Sequence, residues 1–219
     1  MNNENTLARR FGVTSIALLV LFLVWATLVA TGQNIITVFD KSLINLIANT
    51  NEANLAFART ITVIGNTKTM TWLTILVTII LLLFKKYPLA LYFAGTMALA
   101  NLTNSIIKNI IQRPRPTVTH LVHAGGYSFP SGHSIGSMTF FVLLIILSSI
   151  LFKNKTLQTI ITIVCSVMPL LIGYSRIYLH VHFPSDVFGG FLLALTFITA
   201  SLYLYHRYPK FFKRVPNPS

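Results

Sequence analysis

The sequence contains few acidic residues and few charged residues of any kind. Four of its 219 residues are Asp or Glu, and charged residues make up 10% of the chain, whereas about a quarter is usual in soluble domains. With 54% hydrophobic residues, the chain is not disordered, because disordered chains are poor in apolar residues. A soluble globular domain is also disfavoured, because apolar runs as long as residues 11–32 need a bilayer as their solvent.

Cysteine is almost absent as well. The single Cys165 excludes an intrachain disulfide and a thiolate zinc site. The acidic residues Glu4, Asp40, Glu52 and Asp186 are widely separated, so the sequence offers no pair of nearby carboxylates for a hard cation. We therefore predict chemistry that uses no metal and no other cofactor.

Basic residues, in contrast, are plentiful and give a formal net charge of +13. In a soluble protein this charge would suggest binding to nucleic acid. Here the basic residues flank apolar runs instead of clustering on one helix or tail, which favours anionic lipid headgroups. We predict the membrane bilayer as a partner and no nucleic acid.

The apolar runs predict the fold class. Six of them have the composition of transmembrane helices, and residues 33–66 after the first run show the amphipathic spacing of an interfacial segment. The prediction is an all-α integral membrane bundle of six transmembrane helices, with that amphipathic segment after the first helix and one domain over residues 1–219. The six runs are residues 11–32, 69–84, 88–107, 135–152, 156–174 and 187–205.

Six spans place both termini on one side of the membrane. Once the motif segments described below are set aside, Lys and Arg are more frequent on the side of the termini, which predicts a multi-pass protein of the cell membrane with cytoplasmic termini. Residues 108–116, 128–133 and 175–186 then open on the extracytoplasmic face, and together they contain nearly all of the unusual residues.

These three segments have the chemistry of a phosphate site. Lys108, Arg115 and Arg176 lie in them with Arg113 close by and almost no carboxylate to neutralise them. Guanidinium groups match the geometry of phosphate oxygens, and lysine adds a point charge. The sequence 130–133, Pro-Ser-Gly-His, precedes a helix, whose N-terminal N–H groups and dipole favour an anion. The segments predict an electropositive, phosphate-binding pocket.

Two histidines and one carboxylate complete the predicted site. His182 and Asp186 are four residues apart at a predicted helix start, so Asp186 can accept the ring N–H of His182 and expose the other nitrogen as a nucleophile. His133, from another segment, could donate a proton to the leaving oxygen.

The spacing of these residues resembles the type 2 phosphatidic acid phosphatase family, whose signature is K-x6-R-P, P-S-G-H and S-R-x5-H-x3-D. Lys108 with 115–116 matches the first motif, 130–133 the second, and 175–186 the third, complete and in order. The motif core is residues 108–186. The resemblance implies a metal-independent phosphatase that hydrolyses a lipid phosphate on the extracytoplasmic face of the cell membrane.

The resemblance also implies residue roles. His182 would form a phosphohistidine intermediate, Asp186 would orient it, and His133 would protonate the leaving group. The substrate would be undecaprenyl diphosphate, phosphatidylglycerophosphate or phosphatidate, of which the polyprenyl diphosphate is the first choice. The residues implied in phosphate binding are Lys108, Arg115, Ser131, Gly132 and Arg176.

Two other functions are compatible with parts of this pattern. A vanadate-dependent haloperoxidase shares the anion pocket, but its known members are soluble. A non-enzymatic lipid-phosphate binding or transport protein would favour repeats and polar residues at mid-membrane. We interpret His120, His123, His180 and His206 as polar loop or interface residues, and 189–190, a Gly-Gly pair, as a close packing point between helices.

Overall fold

The computed structural model of the protein describes residues 3–47 and 52–212. Each regular element in these two ranges is an α-helix, which confirms the predicted all-α class. In chain order the helices are α1 (Asn3–Ala30), α2 (Asn34–Ile47), α3 (Glu52–Ile64), α4 (Thr67–Leu83), α5 (Tyr87–Ile111), α6 (Gly132–Leu151), α7 (Lys155–Tyr178), α8 (Pro184–Arg207) and α9 (Pro209–Phe212).

The described residues contain four helices long and apolar enough to cross a membrane, namely α1, α6, α7 and α8. Helices α3 and α4 pass the same test together, although the chain bends by 46° between them. Helix α5 has 25 residues but is not among the candidates, because Asn101, Asn104 and Lys108 make its C-terminal half polar. The protein is a multi-pass membrane protein with four or five candidate spans, and the count of six stays a prediction.

The predicted interfacial segment contains two helices, α2 and α3, and residues 48–51 between them lie outside the described ranges. In α2, Ile35, Val38 and Leu46 are exposed, whereas Asp40 is buried. The helix therefore turns its carboxylate into the protein and apolar side chains outward, as expected where lipid is the surrounding medium. The predicted break before the next run lies between α3 and α4, where the Asn66 side chain caps α4.

Helices α6 and α8 form the centre of the bundle. About half of the most apolar stretch of each is buried, 56% in α6 and 50% in α8, against 17% in α1. The two helices approach closely at Gly190, where an added Cβ would lie 2.9 Å from the carbonyl oxygen of Ser131. The predicted packing point at the Gly-Gly pair is confirmed.

Helix α1 packs antiparallel along α8. The Trp25 indole donates a hydrogen bond to the Ser185 carbonyl at 3.0 Å at one end, and His206 Nδ1 lies 2.9 Å from Glu4 Oε2 at the other. The beginning of α1 and the end of α8 therefore lie together, opposite the end of the bundle where α8 begins.

Candidate active site

The three segments singled out in the sequence meet at the end of the bundle where α6 and α8 begin. The backbone N–H of Ser128 donates to the Arg113 carbonyl at 2.8 Å, and that of Ser131 donates to the Asp186 carbonyl at 3.0 Å. Because these bonds join residues far apart in the sequence, the segments are fixed relative to one another by the fold.

A cavity of about 380 Å³ opens between the three segments. It brings together most of the predicted site residues, three of them cationic, and among the described residues no Asp or Glu lines it. The lining residues among the predicted set are Lys108, Arg115, Gly132, His133, Arg176 and His182. The cavity is therefore electropositive and suited to an anion.

His182 and Asp186 form the predicted pair. His182 Nδ1 lies 3.3 Å from Asp186 Oδ2, and Asp186 also accepts hydrogen bonds from the Ser128 hydroxyl and from the Phe183 N–H at 2.9 Å. Both side chains are almost fully buried, at 2% and 0% exposure. This geometry leaves His182 Nε2 facing Arg115 Nη1 at 3.2 Å.

The buried environment keeps the His182 ring neutral. Burial lowers the pKa of His182 to about 4 from its ordinary 6.5, and the charges of Arg115 and Arg176 act in the same direction. Asp186 opposes this shift through its hydrogen bond and its charge. With Nδ1 protonated toward Asp186, Nε2 is therefore unprotonated at neutral pH, and its lone pair, which faces Arg115 Nη1, is the one that a nucleophile needs.

Arg115 is held by backbone carbonyl groups. Its Nε donates to the Gly126 carbonyl at 3.0 Å, its Nη2 to Gly125 at 2.8 Å, and its Nη1 to Val181. Burial lowers the pKa of the guanidinium, while the charge of Asp186 raises it. These bonds fix the guanidinium at the cavity wall beside His182.

Lys108 and Arg176 supply the other two cations. Lys108 Nζ donates to the carbonyls of Tyr127 at 2.7 Å and Ser128 at 3.2 Å. Arg176 Nη1 donates to Thr62 Oγ1 at 2.6 Å, whereas its buried Nε has no partner within the described part of the chain. Arg176 therefore lines the cavity and keeps one buried donor that has no partner among the described residues.

The start of α6 contributes backbone and an imidazole. Gly132 and His133 line the cavity, and the α3–α4 corner at Gly65 packs beside the His133 ring. Ser131 is not in the cavity lining, and its buried hydroxyl caps α6 and accepts from Ser134 Oγ at 2.9 Å. Its phosphate contact stays a prediction that needs the side chain to turn.

The structure also shows residues that the sequence reasoning did not assign to the site. His123, treated above as a loop residue, lines the cavity together with Asn101, Asn104 and Ser105 of α5. The Asn104 side chain is buried, and its Oδ1 has no hydrogen-bond partner in the ranges described. The polar end of α5 was a signal for these residues, since amides in a membrane helix are costly when unpaired.

Asp40, Arg113 and Ser128 form a second group of unassigned residues. All three contact one another or Asp186, yet none lines the cavity. A signal existed for Asp40, because a carboxylate in an apolar helix of a nearly acid-free chain needs a buried cation. The sequence places Arg113 close to the motif residue Arg115, but it does not show that the Arg113 side chain points toward Asp40 and Asp186 instead of the cavity.

Comparison with known proteins agrees with this geometry. The sequence profile of the PAP2 superfamily matches residues 89–210, more than half of the chain and the whole of the motif core. The chain belongs to the PAP2 superfamily. The predicted resemblance is thereby confirmed at the level of the family.

Several curated PAP2-type proteins are similar to part of this chain. Phosphatidylglycerophosphatase B of Bacillus subtilis is 38% identical over 96 residues, 43% of this chain and 47% of the relative. Undecaprenyl-diphosphatase BcrC of the same organism is 33% identical over 109 residues, 47% and 51% of the two chains. The matches thus span about half the length of these relatives.

Two solved structures extend the similarity to the fold. A crystal structure of a transmembrane PAP2-type phosphatidylglycerolphosphate phosphatase from Bacillus subtilis has a TM-score of 0.76 at 26% identity, covering 93% of this chain and 98% of that one. Aquifex aeolicus LpxE has a TM-score of 0.57 at 27% identity, covering 74% and 93%. The PAP2 membrane architecture therefore extends over nearly the whole chain.

Proposed function

We propose that the protein is a membrane phosphatase that hydrolyses the terminal phosphate of a lipid phosphate or diphosphate. The observation that carries the proposal is one cavity whose described lining includes three cations and no carboxylate, beside the second ring nitrogen of a buried histidine that is oriented by a carboxylate. The names of the relatives, a phosphatidylglycerophosphatase and an undecaprenyl-diphosphatase, support the substrate class.

In the first step, His182 Nε2 attacks phosphorus and the bond from phosphorus to the leaving oxygen breaks. His133 donates a proton to that oxygen, so the lipid leaves as a neutral alcohol or as a monophosphate protonated on the former bridging oxygen. Asp186 holds the Nδ1–H of His182 and stabilises the positive charge that develops on the ring. The products of this step are a phosphohistidine and the released lipid.

In the second step, water attacks phosphorus, the bond from phosphorus to His182 Nε2 breaks, and His133 takes back a proton from the water, so that inorganic phosphate and free His182 are released. Lys108, Arg115 and Arg176 neutralise the phosphoryl oxygens in both steps, and the N–H groups at Gly132 add hydrogen bonds. Arg176 Nε, which has no other partner among the described residues, is suited to one of these oxygens. The scheme uses no metal or other cofactor.

For the membrane arrangement we propose six spans, with α5 as the span whose polar end lines the site. The termini face the cytoplasm of the cell and the cavity opens on the extracytoplasmic face. The antiparallel packing of α1 and α8 supports opposite faces for the beginning of α1 and the cavity, because it separates them by the length of the bundle, and the excess of Lys and Arg on the side of the termini supports the cytoplasmic assignment.

The proposed substrates are undecaprenyl diphosphate, phosphatidylglycerophosphate and phosphatidate, with the diphosphate first. All three present a terminal phosphate at the height of the headgroups, where the cavity lies at a helix end. A panel of these lipids, assayed with purified protein for kcat/KM, ranks them directly.

The decisive variant is His182→Ala. In detergent with EDTA present, the wild-type protein should release inorganic phosphate from at least one lipid of the panel, and the variant should lose about a thousandfold or more of the rate. His206→Gln is the matched control, because this histidine lies at the opposite end of α8 and glutamine can still pair with Glu4.

Three results would count against the proposal. Activity that survives His182→Ala would exclude this residue as the nucleophile. Retention of lipid phosphate without turnover would favour a binding or transport protein, and bromination with vanadate and peroxide would favour a haloperoxidase.

A further inference from the structure

Arg113 joins two buried carboxylates on different helices. Its Nη1 donates to Asp186 Oδ1 at 2.6 Å, and its Nη2 donates to Asp40 Oδ2 at 2.9 Å. The Phe183 ring packs against the guanidinium, with its centroid 4.2 Å from Cζ. The Arg113 side chain is 15% exposed, so one nearly buried cation binds two of the four acidic residues of the chain.

This contact divides the two oxygens of Asp186 between different partners. Oδ2 faces His182 Nδ1 and accepts from the Phe183 N–H and the Ser128 hydroxyl. Oδ1 accepts from Arg113. Because each oxygen is committed, the carboxylate cannot rotate without breaking a charge-assisted bond, and its orientation toward His182 is fixed.

Asp40 connects this arrangement to α2. Besides Arg113, it accepts hydrogen bonds from the Ser185 N–H and the Ser185 hydroxyl, both at 2.8 Å. Ser185 lies in the first turn of α8, where backbone N–H groups have no partner within the helix. Asp40 therefore caps α8 from outside, beside the pair formed by His182 and Asp186.

The charges explain why Arg113 needs both carboxylates. The cavity already holds three cations, but Arg113 does not line it. Its guanidinium has two donor edges, and Asp186 satisfies one. Without Asp40, the second edge would be buried without an anion. The orientation of the Arg113 side chain toward Asp186 would then be less stable.

We propose that Arg113 and Asp40 are positioning residues for phosphoryl transfer, with Arg113 fixing the Asp186 carboxylate that orients His182 and Asp40 fixing Arg113. The inference rests on the proposed function and extends the active site to α2, which lies outside the three motif segments. It assigns different roles to the two arginines of the sequence 113–116, since Arg115 faces the cavity and Arg113 faces the carboxylates.

The test compares kcat and KM in Arg113→Gln and Arg113→Lys, together with the inhibition constant of inorganic phosphate. We expect Arg113→Gln to lower kcat about a hundredfold, the scale of a misplaced catalytic group. KM and the inhibition constant should change little, because Arg113 does not line the cavity. Arg113→Lys should recover part of kcat, because an ammonium can still bind Asp186 but cannot bridge both carboxylates as the fork does.

A second comparison tests the role of Asp40 through Arg113. Asp40→Asn keeps the shape of the side chain and an oxygen for Ser185, but loses the charge opposite Arg113. We expect it to lower kcat about tenfold, and to cause little further loss when it is combined with Arg113→Gln, since coupled residues are not additive. Lys41→Gln is the control, because Lys41 is the exposed neighbour on α2 and its loss should leave kcat unchanged.

The outcomes separate the inference from the proposed function. Wild-type kcat in Arg113→Gln, or losses that multiply fully in the double variant, would overturn the positioning role while leaving the phosphatase intact. A wild-type protein without turnover would remove both. If Arg113→Gln does not fold, the variants Asp40→Asn and Arg113→Lys provide the test. A lower kcat at constant KM in these variants supports the inference, and an unchanged kcat in both overturns it.

Discussion

At the residue scale, the chemistry depends on how one histidine is surrounded. His182 is nearly fully buried between Asp186 on one ring nitrogen and Arg115 on the other. Burial and the nearby arginines disfavour the imidazolium, and Asp186 favours it. The balance leaves the ring neutral near pH 7, which suits a nucleophile whose positive charge should develop only during the reaction.

The pH dependence of activity follows from this balance. The proposed nucleophile, His182, must be unprotonated to react and its pKa is about 4, so kcat/KM should stay high below pH 6.5 and fall only as the pH approaches 4. The measurement is a pH profile of kcat/KM, corrected for the titration of the substrate phosphate followed in parallel.

The Asp186→Asn variant provides a control for that profile. Removing the carboxylate removes the interactions that raise the pKa of His182, so the acid limb should move to still lower pH while the rate falls. An acid limb near pH 6.5 in the wild-type protein would show that the His182 ring is solvated, and would contradict the environment described here.

At the element scale, the site depends on the contact between the beginnings of α6 and α8. Gly190 brings the two helices together beside Ser131, whose N–H donates to the Asp186 carbonyl. The atoms nearest to an added Cβ are the Ser131 carbonyl oxygen and the Ser134 Cβ, both at 2.9 Å. Backbone atoms cannot move aside as the end of a flexible side chain can, so this contact tolerates glycine alone.

We expect Gly190→Ala to destabilise the protein by about 1–3 kcal/mol, the usual cost of overpacking. The measurement is thermal unfolding in detergent, where the variant should have a lower Tm and reduced phosphatase activity. The matched control is Gly95→Ala in α5, where an added Cβ has nothing within 4 Å. There, loss of a helix-interior glycine should be neutral or stabilising by up to about 1 kcal/mol; equal Tm losses in the two variants would contradict the packing argument.

At the scale of the whole molecule, the length of the helices separates the cavity at one end of the bundle from the beginning of α1 at the other. The cavity lies where α6 and α8 begin and α7 ends, whereas the α6–α7 turn and the beginning of α1 lie at the opposite end. In the proposed membrane arrangement, this antiparallel packing would place the cavity and the beginning of α1 on opposite faces.

The proposed orientation can be measured by labelling single cysteines in intact cells with a membrane-impermeant maleimide. In a Cys165→Ser background, Val118→Cys lies in the exposed loop next to the cavity, and Lys153→Cys lies in the exposed α6–α7 turn. We expect Val118→Cys to react in intact cells and Lys153→Cys to react only after permeabilisation. The reverse pattern would place the cavity on the cytoplasmic face.

Much of the helical architecture can be predicted from local features of the sequence. Long apolar runs with few charges predict helices in lipid, because the backbone must satisfy its hydrogen bonds internally there. The α4 helix begins at Thr67, close to the predicted start at residue 69, since Asn66 supplies a cap. Helix α5 is one of the six predicted spans but not one of the candidates in the structure, because its end, with Asn101 and Asn104, lines the cavity and makes the helix less apolar.

The sequence by itself determined that the protein is helical, lies in a membrane and carries the spaced motifs typical of the PAP2 superfamily, because composition and spacing are properties of the chain. Only the tertiary structure decided which way each side chain faces. Arg113 and Arg115 are two residues apart and chemically alike, yet one binds Asp40 and Asp186 and the other lines the cavity. Asp40 and Asp186, the partners of Arg113, lie on helices far from it in the sequence. Which arginine meets them depends on how the helices pack, and no local sequence pattern specifies this packing.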